Sequence, residues 1–159
     1  MNKKQETELD SLLDHYERRD DRRQKQLNDR HRAEQDFYLG FKTTVREVIK
    51  PEMERIATRL KARGHRCSVE EEPACATNEG YDRPGAVRCV FIPDQRYSQG
   101  REDPAAIFSA GGNRRVEVSY SAAVPVISDP AALPRDLELA YITPDLVSGQ
   151  ILAMVKALL

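Results

Sequence analysis

Between Lys3 and Asp36 nearly every position is charged or polar, and the segment holds no Gly and no Pro. Such a stretch has the propensities of a helix but almost nothing to bury. A helix from about Glu6 to Arg32 is ~40 Å long at ~1.5 Å per residue. A compact domain made from the rest of the chain would have a radius of gyration of about 13 Å. The expectation is a helix that projects, pairs with a second copy, or waits for a partner.

Its apolar residues are few and clustered. Leu9, Leu12, Leu13 and Tyr16 share one helical face. Continuing the heptad from Leu13 and Tyr16 reaches Asp20, Arg23, Leu27, Arg30 and Glu34. Only Leu27 among these suits an apolar core, which argues against a long uninterrupted two-stranded zipper. Pairs such as Asp14 with Arg18 and Asp21 with Lys25 support the helix by a few tenths of a kcal/mol each. The sequence thus predicts a helix with one adhesive end and a solvated middle.

From Phe37 an apolar stripe begins: Phe37, Phe41, Val45, Val48 and Ile49. Pro51 removes a backbone donor and marks either a kink or a restart. Met53, Ile56, Ala57 and Leu60 continue a buried face, and Gly64 supplies the stop. Beyond Gly64 the periodicity changes to two. Cys67–Glu71 reads as a weak edge strand, 74–85 as a turn-rich loop and 86–92 as a strong strand. Residues 94–103 read as a polar loop. Residues 106–110 and 115–121 form a hairpin around Gly111-Gly112-Asn113, in which glycine or asparagine would supply the positive φ. An irregular stretch over 124–134 precedes a last strand in which Leu137, Leu139 and Tyr141 alternate. Thr143 as N-cap and Pro144 at N1 open a final helix. The fold class is α+β, with a mainly antiparallel sheet of four or five strands covered by the C-terminal helix. The domain reading is 1–36 as charged helix and 37–159 as α+β domain.

Composition narrows the function classes. The net charge of −1 gives no global field toward nucleic acid or an anionic membrane. No apolar run approaches the ~20 residues that span a bilayer. With three cysteines and no secretory pattern, the chain reads as cytoplasmic with reduced thiols.

No catalytic or cofactor motif is complete. His65, Cys67, Cys75 and Cys89 lack a CxxC knuckle, so their thiols read as small core groups rather than zinc ligands. Asp94 after the strong strand and Glu117 on a later one resemble the layout of metal-dependent nucleases with a PD…(D/E)xK signature. In that layout two carboxylates hold Mg²⁺, but Ser119 stands where its lysine belongs. Gly111 to Arg114 precedes a strand, not the helix a phosphate loop requires. His15 and His31 sit on the polar helix without a nearby nucleophile.

The reading is therefore a non-enzymatic interaction or adaptor module, homodimeric, with a protein partner and no cofactor. Its candidate interface is Leu9, Leu12, Leu13, Tyr16, Leu27, Phe37, Phe41, Ile151, Met154, Val155 and Leu158. The alternative is a nucleic-acid-associated protein using Arg18, Arg19, Arg22, Arg23, Arg30 and Arg32. A degenerate nuclease-like fold ranks behind both.

Overall fold

A computed structural model describes residues 1–93, 102–127 and 135–159. It is an α+β chain: a long helical N-terminal part (α1, Lys3–Thr44, and α2, Lys50–Ala62), an antiparallel sheet, and a C-terminal helix (α3, Pro144–Leu158). The chain divides into two compact units, Met1–Asp36 and Phe37–Leu159.

The first unit is helix from Lys3 onward. Asn2 starts it through a reciprocal cap. The Gln5 amide donates to Asn2 Oδ1 at 2.8 Å, and the Asn2 amide donates to Gln5 Oε1 at 3.0 Å. Two donors that the first turn would otherwise leave unmatched are thereby satisfied.

In the second unit, α1 meets α2 through a five-residue π turn, Val45–Ile49, in which the Lys50 amide donates to the Val45 carbonyl. The reason lies in two sequence features. Pro51 lacks an amide hydrogen, and in a regular α-helix its ring would press on the Glu47 carbonyl. The buried residues also recur every four positions: Phe37, Phe41, Val45, Ile49, Met53 and Ala57. At about 100° per residue, a strict four-residue spacing over twenty residues would drift by about 200° around an α-helix. The π turn accommodates one extra residue, which brings the stripe back within roughly 100°. Pro51 stands in the first turn of α2, where the regular α-helix restarts directly after the π turn and a missing amide hydrogen is best tolerated. Gly64, at φ +90°, ends α2 in a Schellman closure, with His65 N donating to the Leu60 carbonyl and Gly64 N to that of Lys61.

The sheet has five strands: β1 (Arg66–Glu71), β4 (Val87–Ile92), β5 (Ala105–Ala110), β6 (Val116–Tyr120) and β7 (Arg135–Leu137). They pair antiparallel in that order. Between β1 and β4 the chain makes a small hairpin, β2 (Cys75–Ala76) with β3 (Asp82–Arg83). The sequence predicts only a loop there, because two-residue strands carry no periodicity. The Arg83 guanidinium fixes this hairpin to the sheet by donating from Nε to the Ala110 carbonyl at 3.0 Å. The predicted alternation of Leu137, Leu139 and Tyr141 is also corrected: β7 stops at Leu137, and Leu139–Tyr141 is a 3₁₀ turn. The expected polar loop lies outside the described residues over 94–101, as does the irregular stretch over 128–134.

One sheet face carries the core. Cys67, Val87, Cys89, Phe91, Ala106, Phe108, Val116 and Val118 meet the helical stripe and the buried side of α3. Gly40 packs closely against Leu139: a Cβ at that position would lie 2.8 Å from Leu139 Cδ1, the free end of a side chain. Thr143 caps α3 by accepting from the Leu146 amide. The Tyr120 hydroxyl anchors α3 to the sheet, 2.9 Å from the Gln150 carbonyl and 2.7 Å from its Oε1. No helix among the described residues is long and apolar enough to cross a membrane.

Candidate interaction surface

From Lys3 to Arg30 every residue is exposed, and none in 3–36 is buried. The helical geometry gathers the sequence-predicted adhesive residues without covering them. Leu9, Leu12, Leu13, Tyr16 and Leu27 are 43%, 62%, 49%, 68% and 40% exposed. A solvent-exposed leucine is ordinary on its own. Four large apolar groups within eight residues of one exposed helix form a surface whose burial would release about 25 cal/mol per Å². Arg18, Arg19, Arg22, Arg23, Arg30 and Arg32 are all exposed on the same helix, interleaved with Asp20, Asp21 and Asp29.

The remaining candidate interface residues are placed differently. Phe37, Phe41, Ile151, Met154, Val155 and Leu158 are buried in the core of the second unit, and of these Phe41 and Val155 each border a surface groove. α3 is apolar on more than one side because it is covered by both the sheet and α2. Leu152 is its exposed large apolar residue before the terminal Leu159. Leu152 borders a groove of about 350 Å³ with Ile56 and Leu60, flanked by Arg55 and Arg59. Arg55 is already engaged: its Nε donates to Glu52 Oε2 at 3.1 Å, and this contact lowers the Glu52 carboxyl pKa.

A second cleft, of about 330 Å³, has Phe41, Val45 and Val87 at its floor. Lys42, Arg46 and Lys50 form a row along its helical wall, with Glu71 opposite. Lys50 Nζ stands 3.2 Å from Glu71, and Arg46 Nη2 stands 3.5 Å from Glu47. Such exposed pairs contribute little to stability.

The chemical candidates are dispersed. Glu117 is exposed on β6 beside Ser119, and Asp94 lies outside the described residues. Among the described residues no three His, Cys, Asp or Glu side chains gather as metal ligands. Cys67 and Cys89 are buried, with their sulfurs 3.8 Å apart, while Cys75 is exposed. The register sets Cys67 opposite Phe91 and Cys89 opposite Val69, so the two thiols are diagonal neighbours. A hydrogen bond from Cys89 lowers the Cys67 pKa; the same contact, with burial, pushes Cys89 far up. In the turn after β5, Asn113 supplies the positive φ as expected, and Arg114 joins it unexpectedly. Asn tolerates this conformation well, whereas Arg does so rarely. Gly111 serves the close approach of Arg115 and Glu117.

Residues that the sequence reading missed are Asn2, Gln150 and the Arg83 tether. Asn2 with Gln5 has the spacing of a capping box and was visible in principle. Gln150 is polar within an apolar run, and its burial follows only from the position of Tyr120.

No family model, no curated protein and no solved structure matches this chain.

Proposed function

We propose that the chain is a non-enzymatic protein–protein interaction module, homodimeric, whose binding surface is the α1 face from Leu9 to Leu27. The observation that carries this reading is the contrast within one helix. Every residue from Lys3 to Arg30 is exposed, yet Leu9, Leu12, Leu13 and Tyr16 form a compact apolar patch there. An isolated helix gains little from propensity alone, so a surface of this kind is stabilised chiefly by what packs on it. The second unit has its own core and supplies a folded body to be carried or positioned.

Light scattering on the full chain at tens of micromolar tests the reading. A dimer that becomes monomer in Leu9→Asp/Leu13→Asp, with unchanged near-ultraviolet circular dichroism, supports it. A strict monomer in the parent chain contradicts it.

The exposed arginines favour a second reading, contact with a nucleic-acid backbone. That reading requires affinity that falls steeply with salt and is lost when Arg18, Arg19, Arg22 and Arg23 become Gln. The three aspartates threaded among them and the absence of interleaved aromatic residues place it second.

A further inference from the structure

The reading above leaves orientation and contacts open, and the charge pattern of α1 specifies both. Residues 3–17 contain two Lys against five Asp/Glu, a net −3; residues 18–32 contain seven Lys/Arg against three Asp, a net +4. All but His31 in these two segments are exposed, so the pattern lies on the surface. A parallel pair sets acidic half against acidic half and basic half against basic half. An antiparallel pair sets each acidic half against a basic one.

We propose that the occupant of the α1 face is α1 of a second copy of this chain, running antiparallel, with Leu9 of each copy opposite Leu27 of the other. This deepens the interaction-module reading and rests on it. The heptad seam through the apolar patch is Glu6, Leu9, Leu13, Tyr16, Asp20, Arg23, Leu27 and Arg30. In a parallel, in-register pair, Glu6, Asp20, Arg23 and Arg30 would each face their own copy at the seam. Like charges there are strongly disfavoured.

The antiparallel register removes all four conflicts at once. Glu6 faces Arg30, Leu9 faces Leu27, Leu13 faces Arg23 and Tyr16 faces Asp20, and each layer recurs across the two-fold axis. The Arg23 stem can cover Leu13 while its guanidinium stays in water. The Tyr16 hydroxyl is a donor suited to the Asp20 carboxylate. Near the axis Glu17 approaches its own copy, as does Arg19. Both sit at the rim, where a like pair costs a few tenths of a kcal/mol. The result is a mixed polar and apolar contact, not an uninterrupted leucine zipper, and its affinity falls as salt screens the charges.

Orientation is read by cross-linking full-length protein in a Cys75→Ser background, with buried Cys67 and Cys89 retained. Leu9→Cys and Leu27→Cys are prepared separately, distinguished by a mass tag, mixed and mildly oxidised. The expected product is the mixed Leu9→Cys/Leu27→Cys dimer, in clear excess over either self-linked dimer. Efficient self-linking of Leu9→Cys means a parallel pair and overturns the proposal, while the interaction-module reading stands. A dimer by light scattering that gives no mixed product likewise overturns the register alone. A monomer in every preparation overturns both.

Charge exchange gives a readout that needs no new thiol. Glu6→Arg and Arg30→Glu should each weaken the parent dimer by about three- to tenfold, and the double exchange should restore it. Failure of the double variant to recover refutes the pairing of Glu6 with Arg30.

Discussion

Gly85 shows how much a single position can carry. A Cβ there would fall 1.9 Å from the Glu72 carbonyl oxygen and 2.8 Å from that of Pro73, both of them backbone atoms. Neither can swing aside as a side chain would, so the strand edge itself must move. Gly85→Ala is therefore expected to lower stability by at least the ~1–3 kcal/mol typical of overpacking, seen as a lower urea midpoint. An unchanged midpoint would mean that the approach of residue 85 to Glu72 is not maintained in solution. Gly149 provides the comparison, because a Cβ built there meets nothing within 4 Å. At this scale the sequence was partly legible. Thr143-Pro144 announces a helix start through residue chemistry alone, and the structure has that cap. The packing that makes Gly85 obligatory involves a neighbour thirteen residues away, and no local pattern records it.

Among the elements, the π turn repays the closest scrutiny. It solves two problems together: the ring of Pro51 and the drift of a stripe spaced by fours. Deleting Glu47, exposed within the turn, would leave a regular helix with the stripe on the same face, but with Pro51 in an unfavourable interior position. That deletion alone should cost about 3 kcal/mol, and Pro51→Ala in the same chain should recover most of the loss. Deleting Lys42 instead rotates Phe37, Tyr38 and Phe41 by about 100° away from their packing and should not be rescued by Pro51→Ala. Chemical denaturation of the four variants, each deletion with and without Pro51→Ala, reads the order directly. The stripe and Pro51 are both plain in the sequence, and so is the spacing of four from Phe37 to Ala57. What hid the π turn is that the spacing has to be followed across Pro51, where a helix reader expects a break. The β-hairpin at residues 105–120 was legible because Val116, Val118 and Tyr120 alternate strictly. Leu139 and Tyr141 alternate too, but the chain turns there to reach the cap of α3.

The molecule as a whole combines a unit with a core and a helical unit without one. The sheet, α2 and α3 bury their apolar faces on one another, and Ile151, Met154, Val155 and Leu158 belong to that core. In sequence, α3 looked like a surface awaiting a partner because an apolar helix does not reveal how many neighbours it has. The α1 patch was legible for the opposite reason: Leu9, Leu12, Leu13 and Tyr16 stand out among polar neighbours, and all four are exposed.

The central claim is that the α1 face from Leu9 to Leu27 is bound by another protein chain, a second copy in the reading favoured here. Amide hydrogen exchange measured on the full chain across a wide concentration range tests it most directly. An unpaired, fully solvated helix opens locally at little cost, whereas a paired one opens only after dissociation. The account predicts that protection over residues 9–27 rises with protein concentration while protection in the sheet stays constant. Rapid exchange over residues 9–27 that ignores concentration would contradict it.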